Sequence, residues 1–468
     1  MVIVTLKGLI PKRVILFYHR LLAKLAGFIY GYPSRKMIVI GVTGTGGKST
    51  VVNLIGRILE EADYKCGWTT TFNFKIAGRE WVNKTKMTML GRFGLQKLLK
   101  QMVRAGCQYV IIETSSEGII QSRHLGIDYD LAVFTNLTPE HIEAHGSFEK
   151  YRKAKGKLFV KLKNSKTKKL RNKIVKKVSI VNLDDKNAGY FLGFPADEYY
   201  GYAVINEKFP PEVDPDCGRE KIKNEKRQSK IKNIKIIEVE SIKLTGYGSE
   251  FEVNNIKFEL NLLGKFNIYN SLAAICVGLS QGIRLETCQK AFKKIKSIPG
   301  RMEVIARDPF TVIVDYAHTP DSLEKVYKTL QSTTNNQQPT TDNQQPTTKL
   351  ICVLGATGGG RDKWKRPELG RIAAKYCHSV IITNEDPYDE NPEQILLEIK
   401  SGVTSYKLQV TNLYEILDRK QAIRKALNLA KPGDTVVITG KGCEQCIMGP
   451  KGKKISWDDR ETVKELLK

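Results

Sequence analysis

An apolar run, MIVIGV (37–42), leads straight into TGTGGKST (43–50). Strand, glycine-rich turn and helix start, in that order, form the setting in which backbone N–H groups converge on a phosphate. The helix N-terminus adds partial positive charge. Lys48 can neutralise a phosphate directly, and Ser49 can ligate Mg²⁺. The strict spacing G-x-x-x-x-G-K-[ST] fails because Val42 stands at the first glycine position; the shorter T-G-T-x-G-K-[ST] form fits. Gly44, Thr45, Gly46, Gly47, Lys48, Ser49 and Thr50 are therefore the expected phosphate site.

A buried strand feeding such a turn needs parallel neighbours. YVIIE (109–113) and LAVFTNL (131–137) supply them, with helices expected at 48–62, 92–105 and 148–163. That alternation predicts an α/β fold: a central P-loop ATPase domain built on a parallel sheet. ATP chemistry also needs a carboxylate at the end of a neighbouring strand, and Glu113 stands there. The less favoured alternative is a strand-end carboxylate in solvent. His141 and His145 follow the next strand, as ligands or as polar loop residues. Further on, SIVNLDD (179–185) reads as a strand, 236–262 as short strands with hairpin turns, and 267–282 as a helix. A new unit starts near Pro299, with strands FTVIVDY (310–316), LICVLGA (350–356), SVIITNE (379–385) and DTVVITG (434–440) separated by helices, the first at 320–331. This predicts a C-terminal Rossmann-like α/β domain. Within it, 331–348 repeats NQQPTT and cannot bury a core, so a disordered polar loop is expected.

The lysine-rich segments 161–178 and 219–235 read as solvated faces or loops. Residues 8–30 read as an amphipathic helix with Arg13, Arg20 and Lys24 on one face. It can pack on the next domain or make peripheral contact with an anionic membrane; packing is favoured, because most such stripes are core. A length of 468 residues suggests two to four domains. With 41% hydrophobic and 27% charged residues, a wholly disordered or collagen-like chain is excluded. There is no uncharged apolar run of membrane-spanning length and no signal-peptide cleavage pattern. Nine scattered cysteines fit reduced thiols in the cytoplasm, and Cys443 and Cys446 read as two ordinary thiols. The net charge of +27 fits a lysine-rich surface plus an anionic substrate. A nucleic-acid-binding P-loop protein is a distant alternative, since no RNA-binding sheet signature or zinc finger occurs.

Together with ETSSEGIIQSR (113–123), VFTNLTPEHIEAHG (133–146), YRKAKGKLF (151–159), LLGKFNIYNSLAA (262–274), PGRMEVI (299–305), VDYAHTPDSL (314–323), GGGRDKWKRP (358–367), DRKQAI (418–423) and GKGCE (440–444), the phosphate loop resembles the Mur ligase family. The resemblance runs from about residue 36 to the C-terminus. It is nearest the branch that adds the third, usually diamino, amino acid to UDP-N-acetylmuramoyl-L-alanyl-D-glutamate in peptidoglycan synthesis. The resemblance implies an ATP-dependent amide ligase working through an acyl phosphate, with the UDP-linked dipeptide and a free amino acid as partners. Another amide ligase of the superfamily, folylpolyglutamate-synthase-like or a peptidoglycan modifier, is the alternative. The resemblance implies a UDP-binding N-terminal domain, a central ATP-binding domain, expected here at 36–297, and a C-terminal domain, expected at 298–468; the residues themselves put an amphipathic helix extension at 1–35 in place of the first. Only about 35 residues precede the first strand, so the family's UDP-binding domain is expected to be reduced or replaced.

Carried over by motif, Ser49, Glu113 and His141 would bind Mg²⁺, and Lys155, N-carbamylated, would support a second Mg²⁺. Lys48, Lys155, His141 and Glu113 would form the catalytic set. Asn270 would face adenine, Arg301 the phosphates and Asp315 the ribose. Thr88, Ser115, Gln121 and Arg123 would hold the muramoyl dipeptide; Glu385, Asp386, Tyr388, Gly440 and Glu444 would hold the amino acid. Several positions depart from the family pattern. Thr88 lies in M-T-M rather than T-T-P, Glu117 replaces a histidine, and Cys443 replaces another. Tyr388 replaces the arginine that would pair with the distal carboxylate of diaminopimelate. Two acidic residues, Glu385 and Asp386, could then favour a cationic side chain such as lysine. The oligomeric state is left open.

Overall fold

The computed structural model describes residues 11–140, 142–170, 172–204, 233–335, 348–406 and 412–468. Its larger sheet has nine strands: β1 (Ile38–Thr43), β2 (Cys66–Thr69), β3 (Asn73–Ile76), β4 (Arg79–Val82), β5 (Tyr109–Glu113), β6 (Leu131–Phe134), β7 (Val178–Asn182), β8 (Glu198–Ala203) and β9 (Ile234–Glu238). They lie in the order β9-β8-β7-β6-β1-β5-β2-β3-β4. Seven run parallel, but β3 and β4 fold back antiparallel, so the sheet is mixed at one edge rather than purely parallel.

Both faces of the central strands are covered, as a parallel sheet requires. Val39, Val110 and Ile112 point into one core, which includes residues of α3 (Arg92–Arg104) and α4 (Phe148–Asn164). Ile40, Val42 and Ile111 point into the other, against α2 (Lys48–Glu61) and α5 (Lys265–Ser280). Helix α5 is apolar nearly all round and is buried over most of its length. A three-stranded antiparallel sheet, β10 (Ser241–Leu244), β11 (Ser249–Val253) and β12 (Ile256–Leu260), flanks this second core, as the hairpin reading expected.

The second sheet holds β13 (Glu303–Ala306), β14 (Thr311–Val314), β15 (Leu350–Leu354), β16 (Ser379–Ile382), β17 (Asn412–Glu415) and β18 (Thr435–Ile438), in the order β13-β14-β18-β15-β16-β17. All pairs are parallel except the edge pair β13–β14. The DRKQAI block is structural: Asp418 caps its helix through Gln421 N, and buried Arg419 grips Asp459 with two bonds of 2.8 Å.

Two expectations change. The lysine run at 161–178 is not simply a solvated loop. It ends α4 and forms a hairpin, Lys168–Leu170 with Lys173–Val175. Lys168 and Lys177 are buried and both donate to Asp130, which is fully buried and also accepts Val39 N at 2.9 Å. The N-terminal helix, α1 (Lys12–Ile29), packs only through a narrow face containing Ala23, Ala26 and Gly27. The repeated NQQPTT segment and all but the end of the 219–235 run lie outside the described residues.

Candidate active site

Register brings Val42 of β1 beside Glu113 of β5, so the strand ends and the phosphate turn share one edge of the sheet. The turn itself has no space for side chains at two glycines. Gly44 has φ +152°, and a Cβ there would lie 1.9 Å from Thr135 Oγ1. Gly47 has φ +79°, and its Cβ would lie 2.3 Å from Asn270 Oδ1. Asn136 braces the loop from the next strand: Gly46 N donates to its Oδ1 at 2.8 Å and Thr45 N to its carbonyl at 2.9 Å. Lys48 Nζ donates to Thr45 O at 2.8 Å.

Glu113 is buried beside the turn and fully engaged. It accepts from Ser49 Oγ at 2.7 Å, Thr71 N at 2.8 Å and Thr71 Oγ1 at 3.0 Å. The Thr71 hydroxyl oxygen in turn accepts from the Thr88 hydroxyl, the two oxygens lying 3.1 Å apart. A carboxylate held against a serine hydroxyl offers oxygen atoms of the kind that divalent cations take as ligands. Lys155, on α4, is buried with its Nζ donating to Gly44 O at 2.6 Å and lying 4.5 Å from the Tyr151 ring centre. Burial, and then neighbouring Lys48, push its pKa well below the usual lysine range.

From the second sheet, Arg301 reaches back, its Nη2 3.4 Å from Ser49 Oγ, with its guanidinium over the Tyr316 ring. Asp315 is buried and accepts Met302 N and Ala317 N; burial raises its pKa. Beyond it lies an acidic cluster. Asp386 accepts from Lys441 Nζ at 2.8 Å and Lys86 Nζ at 2.7 Å; Glu444 accepts from the same two ammoniums at 2.6 and 2.8 Å. Burial opposes ionisation of Glu444, but Lys441 and Lys86 outweigh it and hold its pKa down at about 2. Glu385 differs: Thr357 Oγ1 donates to its Oε1 at 2.6 Å, while buried Oε2 has no hydrogen-bond partner. The acidic pair expected at 385 and 386 is therefore split. Asp386 is already neutralised, and Glu385 alone keeps an open oxygen.

Most of these groups open on one cavity of about 880 Å³ between the two sheets; Lys441 is not among its lining residues. The cavity walls carry the sequence-nominated residues except Gly44, Gln121, His141 and His145; His145 is buried with its Nε2 3.2 Å from Ser116 Oγ. Gln121 instead braces Arg123, accepting its Nη2 at 2.7 Å. His141 lies outside the described residues. Its neighbours do not: Glu140 lines the cavity, while Ile142 N and Glu143 N donate to Asp362 from the second sheet's side. Ser115 caps a short helix by accepting Gly118 N at 3.1 Å. Tyr388 has φ +53° and lies against Gly359.

Sequence reasoning missed several wall residues. Thr71 and Lys86 sit in segments with no motif. Arg361, in the quoted GGGRDKW block, pairs with Glu117 at 2.8 Å and shares the cavity wall with Tyr388, where the family's arginine is absent. Lys441, which bonds the wall residues Asp386 and Glu444 without lining the cavity itself, was visible only as part of G-K-G. Among the described residues no cluster of three or more His, Cys, Asp or Glu is arranged to hold a metal, and all eight described cysteines are free and buried.

Comparison with known proteins fits this geometry. Residues 42–278 match the Mur ligase middle domain, and residues 300–442 the Mur ligase glutamate ligase domain. A protein of Halalkalibacterium halodurans named UDP-N-acetylmuramoyl-L-alanyl-D-glutamate–2,6-diaminopimelate ligase is 33% identical over 98% of this chain and 84% of its own length. A solved structure of a ligase of the same name is 29% identical, with a TM-score of 0.54, covering 92% of this chain and 78% of that one. Mycobacterium tuberculosis folylpolyglutamate synthase shares the fold, with a TM-score of 0.62 at 15% identity over 90% of this chain and 92% of that one. With the phosphate turn, its carboxylate and the second sheet converging on one cavity, and with both family regions matched in order, the chain belongs to the Mur ligase family of ATP-dependent ligases.

Proposed function

We propose that the chain joins a diamino acid to UDP-N-acetylmuramoyl-L-alanyl-D-glutamate, in the cytoplasm, as a step of peptidoglycan precursor synthesis. The observation that carries this reading is the single cavity. It sets the phosphate turn and the Ser49–Glu113 pair on one wall and the Glu385, Asp386 and Glu444 cluster on the other. In this reading 36–297 is the ATP-binding unit and 298–468 the amino-acid unit.

The residues fit the implied cation. Ser49 and Glu113, with His141, would hold one Mg²⁺, and carbamylated Lys155 would support a second. Bound there, Mg²⁺ would neutralise phosphate charge. Buried Lys155 favours its own modification. A depressed pKa favours the neutral amine, whose nitrogen can bond CO₂ carbon and release a proton, giving a carbamate. That converts a cation beside Lys48 into an anion. The turn's N–H groups and Lys48 would then grip the ATP phosphates while Thr88, Ser115 and Arg123 orient the dipeptide. Its carboxylate would attack the γ-phosphate, giving ADP and an acyl phosphate. The amine of the incoming amino acid would displace phosphate and form the amide. Asn270, beside Gly47, Arg301 and Asp315 would seat the nucleotide, and Glu385 Oε2 would accept a side-chain ammonium.

The test is phosphate release by purified protein given ATP, Mg²⁺, the UDP-linked dipeptide and a panel of amino acids, with the product weighed by mass spectrometry. A tripeptide product with a diamino acid is expected. Phosphate release without any product of that mass would defeat the reading.

A further inference from the structure

Helix α1 presents its broad apolar face to solvent. Val14, Phe17, Tyr18, Leu21, Leu25, Phe28 and Ile29 fall on one face of the helix, and each is between 43% and 71% exposed. A surface helix normally turns such a stripe inward. Here the inward side is small-residued instead. Gly126 packs so closely that a Cβ on it would lie 2.8 Å from Ala23 O, and Arg92 Nε holds His19 O at 3.1 Å. The helix is thus fastened to the body with its apolar stripe outermost.

The edge of the stripe is basic. Arg20 and Lys24, four residues apart, are exposed alongside it, and Lys157 of α4 lies near Arg20. None of these three has a carboxylate partner among the described residues. Their field is felt locally: burial, then Lys157, Lys161 and Arg20, drive the pKa of buried His124 down to about 3. The first 36 residues contain seven Lys or Arg and no Asp or Glu. Among the described residues, no helix is long and apolar enough to cross a membrane. An apolar face edged by unneutralised cations matches an interfacial helix lying on anionic lipid. A second copy of the chain fits less well, since pairing two stripes would bring two basic edges together.

We infer that α1 is a docking surface for an anionic lipid bilayer, its apolar stripe entering the headgroup region while Arg20, Lys24 and Lys157 face the phosphates. The test is flotation of the full chain with vesicles of phosphatidylcholine alone or mixed equally with phosphatidylglycerol, at low and high salt. The chain should partition at least about tenfold more strongly onto the anionic vesicles, and salt should weaken this. The double variant Phe17→Asp, Phe28→Asp should lose flotation while keeping its thermal transition, because both rings are exposed. Arg20→Glu with Lys24→Glu should abolish the preference for phosphatidylglycerol. Equal flotation on both vesicles, or flotation unchanged in the aspartate variant, would overturn the inference. So would a non-floating dimer that the aspartate variant splits, or a chain that floats only after removal of residues 1–10.

Discussion

Lys86 joins the two sheets, and its replacement by methionine should loosen their closure on each other. The residue sits on a loop bracketed by Asn83, whose Nδ2 donates to Thr70 O and Met87 O. Its φ of +58° is one that side-chain-bearing residues seldom adopt, and this conformation accompanies an ammonium aimed across the cleft. There it completes a neutral quartet with Lys441, Asp386 and Glu444. Glu444 is held from 4.5 down to about 2, which at about 1.4 kcal/mol per pKa unit is roughly 3 kcal/mol of attraction. Lys441, the larger contributor, and Lys86 share it, so Lys86 accounts for on the order of 1 kcal/mol, up to roughly tenfold in the population with the two sheets closed on each other.

Lys86→Met should therefore do two things. The closed population, read by energy transfer between dyes on the two units, should fall by up to about tenfold. Two carboxylates facing one ammonium should also improve the acceptance of amino acids with a cationic side chain over neutral ones, read as kcat/KM across the panel. The pH dependence has a definite sign. A carboxyl with a depressed pKa contributes fully above its ordinary value and loses that contribution as pH falls through the depressed one. Closure in the unsubstituted protein should thus hold at neutral pH and fail between about 4.5 and 2. In Lys86→Met that window should move up toward 4.5. If the variant closes as often as the parent and ranks amino acids in the same order, the quartet has no part in closure or selection.

Lys155→Ala should cost at least about 100-fold in ligation, with partial recovery on adding short carboxylic acids. No recovery, together with unchanged Mg²⁺ binding, would count against a carbamate. Lys48→Ala should abolish ATP-coupled ligation, and full activity in that variant would remove the phosphate turn from the mechanism. Gly47→Ala should weaken nucleotide binding by tenfold or more in calorimetry while circular dichroism stays unchanged, because φ +79° and the Asn270 contact both oppose a Cβ. Asp130→Asn should destabilise the larger sheet by about 3–5 kcal/mol in urea unfolding, since two buried lysines would lose their shared counter-charge.

What could be read from the sequence and what could not divide along a physical line. The phosphate turn and Glu113 were legible because each depends on its immediate neighbours: a strand buried on both faces, a turn that only glycine can make, a carboxylate at a strand end. Strands β3 and β4 were missed because NFKI and REWV mix charged and apolar residues at a sheet edge, where no continuous run forms. The lysine run at 161–178 misled for a different reason. Lys168 meets Asp130 across 38 residues, and a cation paired at that distance looks the same in sequence as one in water. Lys86 is the extreme case, with partners 300 and 358 residues away. Motifs record chemistry that a local segment must carry, whereas charge balance in the cleft is settled only when two separately folded sheets meet. In the proposed function, the choice of amino acid belongs to that second kind. The replacement of arginine by Tyr388 announced a change in the pocket, but which acidic oxygen stays open was decided by lysines that no spacing rule connects to it.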